Sequence, residues 1–215
     1  MQAPSIDSEL RDVAQRFDLL QHPFYQRWVA GDLSRGELAY YTEQYGHVVR
    51  ALPRWLAEAA VRDGANADAL RRHAAEESDH IAMWERFAWA LDIDAESLRD
   101  APPNAATAAF IATGDELVSI GHGAAVVWSI EAQSPAVSAE KLRGLRAHYG
   151  IDARSGGEYF AVHQELDREH EAALRDVMRS HDAPTQIAAP QSAAATLACM
   201  WDLLSAIPTS SGNAA

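Results

Sequence analysis

Residues 34–59 read SRGELAYYTEQYGHVVRALPRWLAEA, and this stretch decides the fold class. Ser34 followed three residues later by Glu37 is a capping box, in which each side chain accepts from the other residue's backbone N–H and starts a helix. Beyond it Leu38, Tyr41, Tyr45, Val48, Val49, Leu52, Leu56 and Ala59 recur at intervals of three and four, the period that lines one helix face. Pro53 predicts a kink, because proline brings no N–H to the helical ladder. The same spacing extends outward in both directions. Asp7 predicts the cap of a first helix ending near Leu20, before His22-Pro23, and a short helical turn spans 24–30. Gly64-Ala65-Asn66 separates the long helix from one over 67–91, carrying Leu70, Ala74, Glu77, His80, Ile81, Trp84, Phe87 and Ala88 along one side. A loop with one short turn is predicted over 92–104. Helices follow over 105–120, 124–149 with a kink at Pro135, 155–180 and 190–204. No alternation of apolar and polar residues persists, so the chain reads as all-α. No linker or repeat divides it, which predicts one domain over 1–215 with a polar tail over 208–215.

The 215 residues are enough for a core that buries roughly 70% of the unfolded surface without a disulfide. The single cysteine, Cys199, reads as a small apolar side chain in a reducing compartment. A net charge of -13 argues against nucleic acid, since the densest basic cluster is only Lys141, Arg143 and Arg146. The first residues, MQAPSIDSEL, lack a signal-peptide pattern, and no apolar run approaches the roughly 20 residues of a membrane span. The expectation is a soluble cytoplasmic protein.

Against that charge, one group of acids and histidines stands out. Helical bundles hold pairs of redox metals with inward-pointing carboxylates and imidazoles, often an acid followed three residues later by His. Two such pairs occur, Glu77-Ser78-Asp79-His80 and Asp167-Arg168-Glu169-His170. His163, Asp167 and His170 stand at i, i+4 and i+7, so three ligand-type side chains share one stripe. Glu131, in Trp128-Ser129-Ile130-Glu131-Ala132, is an acid in an apolar helical stretch. An acid on an interior face is costly unless it meets a metal or a base. The residues by themselves leave a metal site, a hydrogen-bond network and a solvated face open. Three carboxylates with three imidazoles suit iron or manganese better than structural zinc or magnesium, and they imply dioxygen activation; zinc hydrolysis is the competing metal chemistry.

Lys141 is the only lysine, against 17 arginines. Lysine can lose its proton and act as an amine, which arginine in practice cannot. Tyr25, Tyr40, Tyr41, Tyr45 and Tyr159 lie on three helical segments, where tyrosines ordinarily serve the core.

These residues carry a family resemblance. Leu20-Gln21-His22-Pro23-Phe24-Tyr25 with Trp28 and Gly31, then Tyr41, Gln44-Tyr45 and His47, then Glu76-Glu77 with His80 and Trp84, resemble the TenA/PqqC superfamily. Glu131-Ala132-Gln133, Glu140-Lys141-Leu142-Arg143-Gly144-Leu145, and Tyr159-Phe160 leading to His163, Asp167 and His170 resemble its CADD-like members, which belong to the haem-oxygenase-like dimetal oxidases. The resemblance spans about 18–180 and implies a seven-helix haem-oxygenase-like bundle. It implies that Glu77, His80, Glu131, His163, Asp167 and His170 hold two iron ions or a manganese/iron pair, with O2 as co-substrate. CADD-like enzymes make para-aminobenzoate from one of their own tyrosines with an internal lysine as amine donor. The corresponding residues are Tyr25 and Lys141, with Tyr159 a further active-site tyrosine. Two positions depart from that pattern: His73 stands where CADD has its first glutamate ligand, so Glu77 is assigned from its i, i+3 spacing to His80, and Ile130 replaces a tyrosine. The leading expectation is therefore a dimetal oxidase that makes para-aminobenzoate for folate synthesis and needs no external organic substrate. The alternatives are a dimetal oxidase acting on a fatty acid or amino acid, a metal-free PqqC-like oxidase, and a non-enzymatic binding protein. A TenA-type thiaminase is disfavoured because Cys199 lies in the last helix. The superfamily implies a homodimer, with Trp55, Trp89 and Trp201 in the core or at an interface.

Overall fold

The computed structural model describes residues 5–209, and among these every regular element is helical. In chain order the α-helices are α1 (Ile6–Arg16), α2 (Pro23–Ala30), α3 (Arg35–Arg62), α4 (Ala67–Trp89), α5 (Ala95–Asp100), α6 (Ala105–Ser119), α7 (Gly123–Glu131), α8 (Ser134–Gly144), α9 (Glu158–Ser180) and α10 (Ala183–Ser205). The capping box at Ser34 and Glu37 forms, and α3 continues through Pro53. Its apolar face is interior: Leu38, Tyr41, Val48, Leu52, Trp55 and Leu56 are buried. α4 packs along α3, α9 packs on α4, α7 and α8, and α10 closes the bundle against α1, α6 and α7. None of the described helices is long and apolar enough to cross a membrane.

Among the described residues there are ten α-helical segments, where the resemblance implies seven. The short α2 and α5 are helical in their own right, and the helix expected over 124–149 is two helices. The break falls at Ala132-Gln133, ahead of Pro135, which sits in the first turn of α8 where its missing N–H costs nothing. Gln133 pins the break: its Oε1 accepts from Leu19 N (2.8 Å) and its Nε2 donates to the Phe17 carbonyl (2.9 Å). The last helix begins at Ala183 instead of 190, because Asp182 caps it by accepting from Thr185 N and Pro184 stands in its first turn. Pro190 is carried inside that helix, buried under the packed bundle. Ser5, not Asp7, caps α1. The predicted tail lies outside the described residues beyond 209.

Trp55 is core, Trp201 packs edge-on to His22 and Trp89 is 71% exposed. Trp55 lies against Gly114 of α6, where an added Cβ would come 2.2 Å from its Cζ2. Its Nε1 donates to Asp115 Oδ1 (2.7 Å), so the ring cannot withdraw. Overpacking of this kind costs up to about 3 kcal/mol, more than the ~1 kcal/mol that alanine gains over glycine in a helix. Gly114→Ala is expected to lower the urea midpoint, at unchanged slope, by the equivalent of about 2 kcal/mol.

Candidate metal centre

α4 presents His73, Glu77 and His80 at i, i+4 and i+7, and α9 presents His163, Asp167 and His170 in the same register. The two stripes face each other, and Glu131 reaches them from the last residue of α7. All seven side chains are buried. One ligand atom each from His73, Glu77, Glu131 and His170 lies within 4.8 Å of the others, and so does one each from Glu77, His80 and His163. Glu77 belongs to both groups. Its Oε1 is 3.0 Å from His80 Nδ1 and 3.9 Å from His170 Nδ1, while its Oε2 is 3.9 Å from His163 Nε2. Asp167 Oδ1 is 3.7 Å from His170 Nδ1. The position at which the resemblance left His73 and Glu77 as rivals therefore brings both inward.

Buried polar atoms in proteins almost always have partners. Here both oxygens of Glu77 and of Asp167, Glu131 Oε2, His80 Nδ1, His163 Nε2 and His170 Nδ1 have no hydrogen-bond partner. These eight atoms all belong to this centre. Two of the imidazoles are oriented from behind: His163 Nδ1 donates to the Tyr159 carbonyl (2.6 Å), and His170 Nε2 donates to Glu76 Oε2 (2.7 Å). Each bond places the lone pair of the other ring nitrogen toward the centre, as in carboxylate–histidine–metal triads. Burial drives Glu131 well above the usual carboxylate range, reinforced by the Glu77 and Asp167 carboxylates, and it drives His73 down to about 3. Glu131 Oε1 and His73 Nε2 lie 2.8 Å apart, within hydrogen-bonding distance. Burial also works to raise Glu77, but the facing His163 and His80 rings outweigh it and hold its carboxyl far below the ordinary value. Unpartnered oxygens and imidazole nitrogens around one shared carboxylate fit a pair of metal ions.

Beside this centre lies a small cavity of about 20 Å³, bounded by Tyr25, Tyr45, Ile130, Ser134, Lys141 and Tyr159 among others. Tyr159 links the two, its ring stacked on His163 with centroids 3.9 Å apart. Tyr25 comes from α2, whose start is set by His22 Nδ1 accepting from Phe24 N (3.0 Å). Trp28 of the same helix donates from Nε1 to the Lys141 carbonyl (3.0 Å), holding α2 to α8. Lys141 Nζ donates to the Tyr41 hydroxyl (2.6 Å) and lies 4.8 Å from the Tyr25 ring centroid. Its carbon stem and amine are sealed among rings, and burial pulls the amine down to about 7. Burial raises the hydroxyls of Tyr25, Tyr41 and Tyr159 above the ordinary phenol value.

Residues 39–203 match the profile of the family described as iron-containing redox enzymes. The chain belongs to that family. It is accordingly an oxidoreductase, and its buried His/Glu cluster is compatible with the iron that the family description names. Among family relatives, the chain is 32% identical over 190 residues to the 4-aminobenzoate synthase of Chlamydia muridarum, covering 81% of this chain and 79% of that one. It is 29% identical to the 4-aminobenzoate synthase of Nitrosomonas europaea, covering 96% and 92%. In fold it is similar to a TenA homologue from Pseudomonas syringae (TM-score 0.82, 16% identity, 94% and 92% covered). It is also similar to a CADD-like protein from Nostoc punctiforme (TM-score 0.69, 19% identity, 94% and 100% covered). The bundle is thus the all-α haem-oxygenase-like fold that the sequence motifs implied.

Beyond the six predicted ligands and Tyr25, Lys141 and Tyr159, this family member places three more side chains at the centre. His73 repeats on α4 the i, i+4, i+7 register of α9, a signal present in the sequence. Glu76 and Tyr41 stand among the residues that carry the resemblance, but nothing in the sequence pairs them with His170 and Lys141, which are distant in the chain.

Proposed function

We propose that the protein is a dimetal oxidase that makes para-aminobenzoate, with Tyr25 as the source of the ring, Lys141 as the amine donor and O2 as co-substrate. The observation that carries this reading is that the lone lysine's amine sits 4.8 Å from the Tyr25 ring centroid, at a small cavity that Tyr159 connects to the candidate metal centre. Glu77, His80, Glu131, His163, Asp167 and His170 would hold two iron ions, or a manganese/iron pair. When bound, such a pair supplies the one-electron oxidising power of dioxygen chemistry. The chain's own groups do the rest. Tyr41 holds the Lys141 amine in place by accepting its hydrogen bond, and burial keeps a large part of that amine neutral near pH 7, the form able to act as a nucleophile. Tyr159, stacked on His163, stands between the centre and the cavity. Ile130 lines the cavity in place of the family tyrosine, so the path proposed here runs through Tyr159.

The cavity's size supports an internal substrate. Pockets for organic ligands usually run to roughly 300 Å³ or more, whereas about 20 Å³ holds a molecule the size of water or dioxygen. A fatty acid or amino acid has no room there. The unpartnered carboxylates and imidazoles argue equally against a metal-free oxidase. Complementation of a para-aminobenzoate auxotroph tests the proposal. Growth is expected with the wild type and lost with either Tyr25→Phe or Lys141→Arg; growth with both variants would overturn it. Intact mass after aerobic turnover with iron should show a defect that maps to Tyr25 or Lys141.

A further inference from the structure

We propose that the cleft between α4 and α9 is the port through which divalent metal ions reach the buried centre, with Glu76 as the outermost ligand. The proposal rests on the dimetal reading above and concerns how the centre is filled. A hydrated ion cannot cross apolar protein without paying a large desolvation cost, so it needs a route on which oxygen and nitrogen donors replace its water in steps. The carboxylates of the centre are buried, Glu77, Glu131 and Asp167 being at most 2% exposed, and the cavity on the α2–α8 side holds only about 20 Å³.

The α4–α9 cleft is the exception. It has a volume of about 260 Å³; its walls are largely apolar, Ala69, Leu166 and Ala173 among them, while Glu76 and Glu169 contribute carboxylates, Arg72 a guanidinium, and His73 and His170 lie at its floor. The two imidazoles are in contact, with centroids 3.7 Å apart. His170 spans the remaining distance. Its Nε2 donates to Glu76, whose side chain is 51% exposed, while its buried Nδ1 is unpartnered and lies 3.9 Å from Glu77 Oε1. One imidazole therefore separates a solvent-facing carboxylate from the carboxylate shared by both groups of candidate ligands. Glu76 can take an ion from solvent, and its release of His170 Nε2 leaves that ring free to pass the ion inward. Two carboxylates against the single guanidinium of Arg72, above imidazoles at the floor, leave the polar part of the cleft net negative, which suits a cation.

The test is the rate at which the metal-free full-length protein takes up Co2+, followed by stopped-flow absorption. Ala69→Trp and Ala173→Trp fill the cleft from opposite walls at exposed positions, each one helical turn from His73 or His170, and replace no candidate ligand. Each is expected to slow uptake by at least about tenfold, because the ion must then wait for a rarer opening of the bundle, while two ions are still bound at the end. Uptake at the wild-type rate in both variants overturns the port and leaves the proposed function standing. A final content below two ions in both also overturns it, since the cleft would then support the centre itself. If the wild type binds no cobalt, the dimetal reading falls together with the port.

Discussion

Lys141→Met is expected to give a protein more stable than the wild type at neutral pH and unable to make para-aminobenzoate. Burial lowers the folded amine to about 7, whereas in the unfolded chain it returns to the ordinary lysine value of 10.5. Between those values the unfolded state binds a proton that the folded state lacks, so wild-type stability rises with pH across that window. The whole penalty, about 5 kcal/mol, is present below pH 7 and disappears as pH approaches 10.5. Methionine fills a similar volume without it. The lost hydrogen bond to Tyr41 and the lost contact of the cation with the rings of Tyr25, Trp28 and Tyr45 return part of the gain. A net stabilisation of about 2–3 kcal/mol at pH 6.5 follows, shrinking and then reversing near pH 10.5. Urea unfolding of both proteins at the two pH values measures it. A gap that does not change with pH would contradict the buried-amine account. Retained product formation would remove Lys141 from the chemistry.

The second large effect concerns Glu77. Because one atom of it completes each group of candidate ligands, Glu77→Ala is expected to empty both halves of the centre, while His80→Ala leaves the group of His73, Glu131 and His170 able to hold one ion. Loss of an orienting partner behind a ligand already costs roughly 10–100-fold in metal affinity, and loss of a shared ligand should exceed about 100-fold at each position. Metal analysis after anaerobic loading with iron reads the outcome directly: two ions in the wild type, close to none in Glu77→Ala, one in His80→Ala. Two ions in Glu77→Ala would mean that His73 alone serves where Glu77 is placed here.

The capping box at Ser34, the apolar period of α3 and the stripe of His163, Asp167 and His170 were all legible in the sequence, since each depends on residues within a turn or two of one another. The equivalent stripe on α4 was equally local, but only its Glu77–His80 half resembled a ligand pair. Its third member, His73, takes its meaning from Glu131, 58 residues away. The split between α7 and α8 has the same origin, because Gln133 ends one helix by bonding to backbone atoms more than a hundred residues earlier.

By itself, then, the sequence determined an all-helical chain, the spacing of its ligand-type side chains and the singular identity of Lys141, because period, capping and composition act over a few residues. Only the tertiary structure decided that two such stripes face one another around Glu77, that His73 joins them, and that the amine of Lys141 lies over the Tyr25 ring beside a small cavity. Burial and unpartnered lone pairs arise from packing between distant helices. They are what bring acids, histidines and one lysine from distant parts of the chain together, with Glu77 shared by both groups of candidate ligands.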